Sequence, residues 1–132
     1  MSENQIAQIK AEVKQAAINH LNAKDAATAL SHYTEDVIAV SNDKLFGTFE
    51  VLAEDVRAYY NILKEVNLAV WDEMHINVIN SDAVVFTAKF RYSFTNTDNE
   101  RTDLQGIWTA LFVRSNEGWK IQVRHESFSI SG

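Results

Sequence analysis

Hydrophobic residues recur along this chain with two different periods, and the change of period divides it. Up to about residue 63 they repeat every three to four positions. From Asn67 onward they alternate. Ile6, Ile9, Val13, Ala16, Ala17 and Leu21 predict an amphipathic helix over residues 3–23. Ser2 and Gln5 have the spacing of a capping box at its start. Asp25 reads as the N-cap of a shorter second helix, with Ala26, Ala29, Leu30 and Tyr33 on its inner side. Val37–Val40 is a short strand. Ser41–Lys44 is a turn, and Leu45-Phe46 a brief return. Thr48 caps a third helix, in which Leu52, Val56, Tyr59 and Leu63 form a stripe that Tyr60 widens.

The alternating half predicts four long strands. On the first, Leu68, Val70, Asp72, Met74, Ile76 and Val78 share one face, so Asp72 is the one carboxylate in an apolar row. Ala69, Trp71, Glu73, His75 and Asn77 share the other. On the second, Val84, Phe86, Ala88, Phe90, Tyr92 and Phe94 oppose Val85, Thr87, Lys89, Arg91 and Ser93. The chain closes on a hairpin from Arg101 to Ile130 around the turn Asn116-Glu-Gly118. Its second arm sets Trp119, Ile121, Val123 and His125 against Lys120, Gln122, Arg124 and Glu126. Strict alternation makes His125 the one ionisable group on an inward face. The first arm is apolar on both sides, with Ile107, Thr109, Leu111 and Val113 opposite Gly106, Trp108, Ala110 and Phe112. Such a strand is usually covered twice. The helices can cover one side, and a second copy of the chain is the simplest cover for the other. A homodimer through the sheet's outer face is therefore expected, resting on the Gly106–Phe112 row or on its counterpart.

Helices segregated from an antiparallel sheet give an α+β fold. A bent sheet wrapped around a long helix would leave a cone with an open mouth. The 132 residues suit one domain, residues 1–132. The absence of Cys removes disulfides, thiolates and Cys-ligated metal, and the absence of Pro leaves turns to Gly, Asn, Asp and Ser. A net charge of −6 disfavours nucleic acid, since the nearest thing to a basic cluster is Lys89 with Arg91. The polar start is unlike a signal peptide, and no run approaches the ~20 apolar residues of a membrane span. The expectation is a soluble cytoplasmic protein with no membrane partner.

The segments KDAATALSHYTEDVIAV, GTFEVLAEDV, INSDAVVFTAKF and especially EGWKIQVRHESFS resemble the SnoaL-like branch of the nuclear transport factor 2-like superfamily. That resemblance implies a cone-shaped α+β barrel, a pocket between sheet and helices, and frequent homodimers. The superfamily includes ketosteroid isomerases, dehydratases, epoxide hydrolases, polyketide cyclases and non-enzymatic members, so fold alone does not decide function. The isomerase tyrosine would fall near Ala17 and its aspartate near Ser41. Neither catalytic residue type is present, which speaks against steroid isomerisation.

His125 and Asp72 are the candidate acid/base groups. Imidazole titrates near neutral pH, and a carboxylate in an apolar row has a raised pKa unless paired. The bland alternatives are an inward His bonded to backbone, and a β-bulge at Asp72-Glu73 that turns Asp72 outward. Tyr59, Tyr60, Trp71, Phe90 and Trp108 are candidates for the wall around an apolar or cyclic ligand. His20 reads as a helix-end residue and His32 as exposed. No phosphate loop, nucleophile elbow or zinc-type His spacing is present, so no cofactor or metal is expected. Two readings stay open: a small-molecule-binding protein with lyase, isomerase or hydrolase chemistry, and a non-catalytic dimeric interaction or ligand-sensing module.

Overall fold

The protein is described here from a computed structural model covering residues 1–131. Its elements, in order, are α1 (Glu3–Leu21), α2 (Ala26–Ser31), β1 (Tyr33–Ser41), β2 (Lys44–Phe46), α3 (Phe49–Ile62), β3 (Leu63–Asn80), β4 (Ala83–Asn96), β5 (Arg101–Ser115) and β6 (Gly118–Ser131). The three expected caps form. Ser2 Oγ accepts from Gln5 N at 3.1 Å while Gln5 Oε1 accepts from Ser2 N at 2.8 Å. Asp25 Oδ1 accepts from Thr28 N at 2.7 Å, and Thr48 Oγ1 from Val51 N at 3.2 Å. Each satisfies an amide that the helix itself cannot.

The strands make one curved, unclosed sheet in the order β2-β1-β6-β5-β4-β3. Neighbours are antiparallel except β1 and β6, which run parallel. A parallel pair needs a long connection, and here α3 and the four strands β2 to β5 supply it. The helices cover the concave face, which gives the cone-shaped α+β fold. No helix among the described residues is long and apolar enough to cross a membrane.

Two one-residue bulges decide which side chains reach the interior. Phe112 pairs with Ile121 but Leu111 pairs with Val123, so Gln122 is an extra residue in β6. Beyond it the faces swap, because side chains alternate with period two. Arg124 is 8% exposed and Glu126 is half-buried, while His125 is exposed on the outer face. The inward placement expected for His125 is thereby corrected. In β3, Trp71 pairs with Phe90 and Glu73 with Lys89, leaving Asp72 as the extra residue. Trp71 and Met74 then both pack on the core, and Asp72 turns out to meet Arg91 through two hydrogen bonds of 2.7 Å. The bulge alternative is the one observed for Asp72. Trp108, Ala110 and Phe112 are buried inside, so the outer row of β5 is the counterpart one: Ile107, Thr109, Leu111 and Val113.

Phe46, Phe86, Phe112, Leu52, Ile121, Val13, Val37 and Val84 are the largest fully buried side chains. Burial of each is worth roughly 1.5–3 kcal/mol against exposure. Trp71 Nε1 donates to the Ala17 carbonyl at 3.1 Å, which pins α1 to the sheet above the aromatic cluster. Gly106 is required where β5 meets β6. A Cβ there would lie 2.0 Å from the Ser127 carbonyl oxygen and 2.7 Å from Phe128 Cα, both backbone atoms. Gly106→Ala should therefore force the strands apart and cost about 1–3 kcal/mol of stability. Urea denaturation checks this, and an unchanged midpoint would show that the strand approach is looser than described.

Candidate functional site

Between the helices and the concave face lies a cavity of about 420 Å³. The alternation of β3, β4 and β5 lines it with Trp71, Phe90, Tyr92, Phe94 and Trp108. β6 adds Phe128. The aromatic rings interlock at edge or tilted angles, with Trp71 and Trp108 centroids 5.2 Å apart and Trp71 and Phe90 6.2 Å apart. From α3, Tyr59 and Tyr60 close the helical side. Tyr59 hydrogen-bonds the Tyr92 hydroxyl, and Tyr60 donates to the Ala23 carbonyl at 2.9 Å. Burial pushes the Tyr60 phenol up to about 12 and raises Tyr59 and Tyr92 as well. All three stay protonated and act as neutral donors.

One end of the cavity is polar. Arg124 and Glu126 enter from β6, Tyr33 from β1, His20 from α1 and Asp55 from α3. Arg124 donates from Nη1 to the Tyr33 hydroxyl at 3.1 Å, and its Nη2 forms an ion pair with Glu126 Oε1 at 3.2 Å. Its Nε is buried and has no partner among the described residues. Burial works against the Arg124 charge, but Tyr33 and Glu126 hold it, and the net shift is upward. Burial also raises the Glu126 carboxyl, and Asp55 adds to the rise while Arg124 opposes it. Thus the pair lies in water-poor surroundings, with the carboxyl held above its ordinary range.

His20 occupies the last turn of α1. Its Nε2 lies 3.1 Å from the Tyr33 hydroxyl, and its Nδ1 lies 2.9 Å from Nδ1 of His32, the C-cap of α2. Burial, then His32 and Arg124, push the His20 imidazole down from 6.5 to about 3. His32 is half-buried rather than exposed. Its pKa is lowered too, by burial and then by Lys120. Both rings are therefore neutral at ordinary pH.

Of the residues singled out from the sequence, Tyr59, Tyr60, Trp71, Phe90 and Trp108 border the cavity. His125 and Asp72 do not, since His125 faces outward beyond the Gln122 bulge and Asp72 is itself the outward-turned bulge residue. Alternation alone put Arg124 and Glu126 on the wet face, and so missed them. A signal was present: apolar residues fall at odd positions at Trp119 and Ile121, then at even positions at Phe128 and Ile130. A strand that keeps one face buried can change parity only by carrying an extra residue. Tyr33 was recognised as inward but not as polar machinery. The His20–His32 contact joins two helices and had no local signature.

A family model described as a SnoaL-like domain matches residues 11–131. No curated protein matches the chain. Among solved structures, one provisionally named a scytalone dehydratase, from Novosphingobium aromaticivorans DSM 12444, superposes with a TM-score of 0.87 at 8% identity, covering 97% of this chain and 89% of that one. A hexachlorocyclohexane dehydrochlorinase, LinA-type3 from Novosphingobium barchaimii LL02, gives 0.78 at 11% identity, with 98% and 93% covered. A conserved protein from Planctomyces limnophilus DSM 3776 gives 0.78 at 17% identity, with 95% and 99% covered. At these identities the likeness shows the shared fold.

The depressed His20 pKa sets a pH dependence. Above pH 6.5 the ring is neutral whether the chain is folded or not. Between pH 6.5 and 3 the unfolded ring binds a proton that the folded ring refuses, so stability is lost as pH falls. At pH 5 the loss is about 1–2 kcal/mol. Glu126 works in the opposite sense, because its raised carboxyl favours folding at lower pH. It is common to wild type and variant and cancels in their comparison. His20→Gln should lose less stability than wild type between pH 7 and 5 in urea titrations. Parallel losses would mean that His20 is protonated in the folded protein.

Proposed function

For this chain, which belongs to the SnoaL-like domain family, we propose binding of a small apolar, cyclic ligand in the cone cavity, followed by a cofactor-free acid–base step at its polar end. The observation that carries this reading is the cavity itself: about 420 Å³ of aromatic-walled space ending on a buried Arg124–Glu126–Tyr33 cluster. That volume lies in the usual range for small-ligand sites, and their usual make-up is apolar walls with a few converging polar groups. Trp71, Phe90 and Trp108 would stack on the ring. Tyr59 and Tyr60 would close over it.

The chemistry follows from the protonation states. A carboxyl held above its usual range suits proton transfer near neutral pH. Glu126 would take a proton from a ligand carbon, and the Tyr33 hydroxyl would give one to the oxygen or other electronegative atom where charge develops. Arg124 bridges both groups and would stabilise that charge in a site of low dielectric. Two protons moved on one ligand amount to elimination or isomerisation, the lyase and isomerase classes. Two of the similar structures bear names of eliminations, a dehydratase and a dehydrochlorinase, which supports the same class here.

The pairing surface is proposed as well. Ile38, Val123, Leu111 and Val85 stand in register across β1, β6, β5 and β4 on the outer face. Ile38 is 46% and Val123 43% exposed, and Ile107 beside them is 46% exposed. An apolar ribbon of this kind is a common interface between identical subunits. His125 lies on the same face, opposite Thr109.

Two outcomes are expected. Titration with a panel of cyclic alcohols, ketones and halides should quench the emission of Trp71 and Trp108. Glu126→Gln should keep that binding and lower turnover of the best binder by about 10²–10⁴-fold. A panel that leaves the emission unchanged, or a Gln variant of full activity, would sink the reading. Light scattering at micromolar concentration should give the mass of a dimer, and a monomer would remove the outer ribbon as an interface.

A further inference from the structure

We propose that His20 and His32 form a proton relay joining the Tyr33 hydroxyl in the cavity to solvent at His32 Nε2. The inference deepens the acid–base reading above and rests on it. Its geometry is a continuous chain: Arg124 Nη1 to Tyr33 hydroxyl at 3.1 Å, Tyr33 hydroxyl to His20 Nε2 at 3.1 Å, His20 Nδ1 to His32 Nδ1 at 2.9 Å. The far end is open. Buried side-chain nitrogens and oxygens without a partner are Thr34 Oγ1 and Arg124 Nε among the described residues. His32 Nε2 makes no hydrogen bond among them either and is not one of these buried atoms, so it reaches water.

Donor counting fixes what this chain can do. Arg124 only donates, so Tyr33 oxygen accepts from it. Two Nδ1 atoms 2.9 Å apart hold one proton between them. Two arrangements of the chain satisfy every bond. In the first, His20 Nε2–H donates to Tyr33, His32 Nδ1–H donates to His20 Nδ1, and Tyr33 O–H points to the cavity. In the second, Tyr33 O–H donates to His20 Nε2, His20 Nδ1–H donates to His32, and His32 Nε2 carries a hydrogen.

Passing from the first to the second moves one proton inward. Tyr33 O–H breaks as its hydrogen goes to the ligand. His20 Nε2–H breaks to restore Tyr33, and His32 Nδ1–H breaks to restore His20 at Nδ1. His32 Nε2 then takes a proton from water. Every hydrogen lost is replaced, and neither buried ring has to hold a full imidazolium if the hops are concerted. An outward transfer runs the same bonds in reverse and resets the chain.

The neighbouring charges are compatible with neutral rings. Arg124 faces His20, and Lys120 on β6 faces His32. Glu126 and Asp55 face Tyr33 from the other side. His32 is positioned for this by backbone, since its carbonyl accepts from Ile121 N at 2.8 Å.

The test uses the whole ¹⁵N-labelled protein without any ligand. At neutral pH the ring spectra should show both histidines uncharged, one Nδ1 protonated, and a scalar coupling across the Nδ1 pair. Exchange of the Tyr33 hydroxyl proton with water should slow by about tenfold or more in His32→Gly, and added imidazole should restore it. An imidazolium at either position, an exchange rate unaffected by His32→Gly, or a slowing that imidazole does not relieve would overturn the relay. None of these readouts requires turnover. A protein that passes them yet binds no member of the ligand panel would sink the function while leaving the relay standing.

Discussion

A guanidinium buried inside an aromatic cone is costly unless its donors are used, and most of the site depends on how Arg124 uses them. Removing an ion of this kind from water costs several kcal/mol, which attraction to a partner recovers only when geometry is good. Arg124 meets that condition in part, with a hydrogen bond to Tyr33 and an ion pair to Glu126, while its Nε has no partner among the described residues. In meeting it, the guanidinium also fixes the other two. Tyr33 is held with an oxygen that already accepts one bond, and Glu126 with its charge opposed but not cancelled. Remove Arg124, and the carboxyl becomes an uncompensated group in a dry site while the phenol loses its anchor. The polar end is one interdependent unit rather than a set of separate residues.

The frame that holds this unit is ordinary in its physics. α1 lies along the sheet because Ile9, Val13 and Ala17 are buried there, and Trp71 ties the helix backbone to β3 through Ala17. The tie places His20 one turn further on, beside Tyr33 at the start of β1. α2 ends on His32 immediately before that strand, so the two imidazoles meet where three elements converge. The neutrality of both rings follows from burial and from the positive neighbours Arg124 and Lys120.

Much of the fold was legible in the residues, and much of the site was not, for a definite reason. Helix starts are local events, so Ser2, Asp25 and Thr48 could be assigned from spacing, and the strands from alternation. The aromatic wall could also be foreseen, because Trp71, Phe90 and Trp108 are large and sit in patterned strands. The polar residues at the end of the cavity could not be placed by alternation, since alternation assumes an unbroken register. Gln122 and Asp72 each break it. His125 and Arg124 therefore exchange sides, and Asp72 meets Arg91 in solvent instead of a histidine in the core. The parity change between Ile121 and Phe128 records the first break. The parallel β1–β6 pairing and the His20–His32 contact are tertiary, and no short window of sequence contains them.

The bulge at Gln122 has an implication for how sites in such a cone arise. Its single extra residue sets which of two interleaved residue series lines the cavity: Arg124, Glu126 and Phe128, or Val123, His125 and Ser127. The second series is already encoded, facing outward. Pairing Gln122 with Leu111, instead of leaving it as the extra residue, would turn the rest of the strand inside out and present an imidazole where a guanidinium stood. A change of register in one strand, with no new side chains, is thus enough to exchange the chemistry at the end of such a cone.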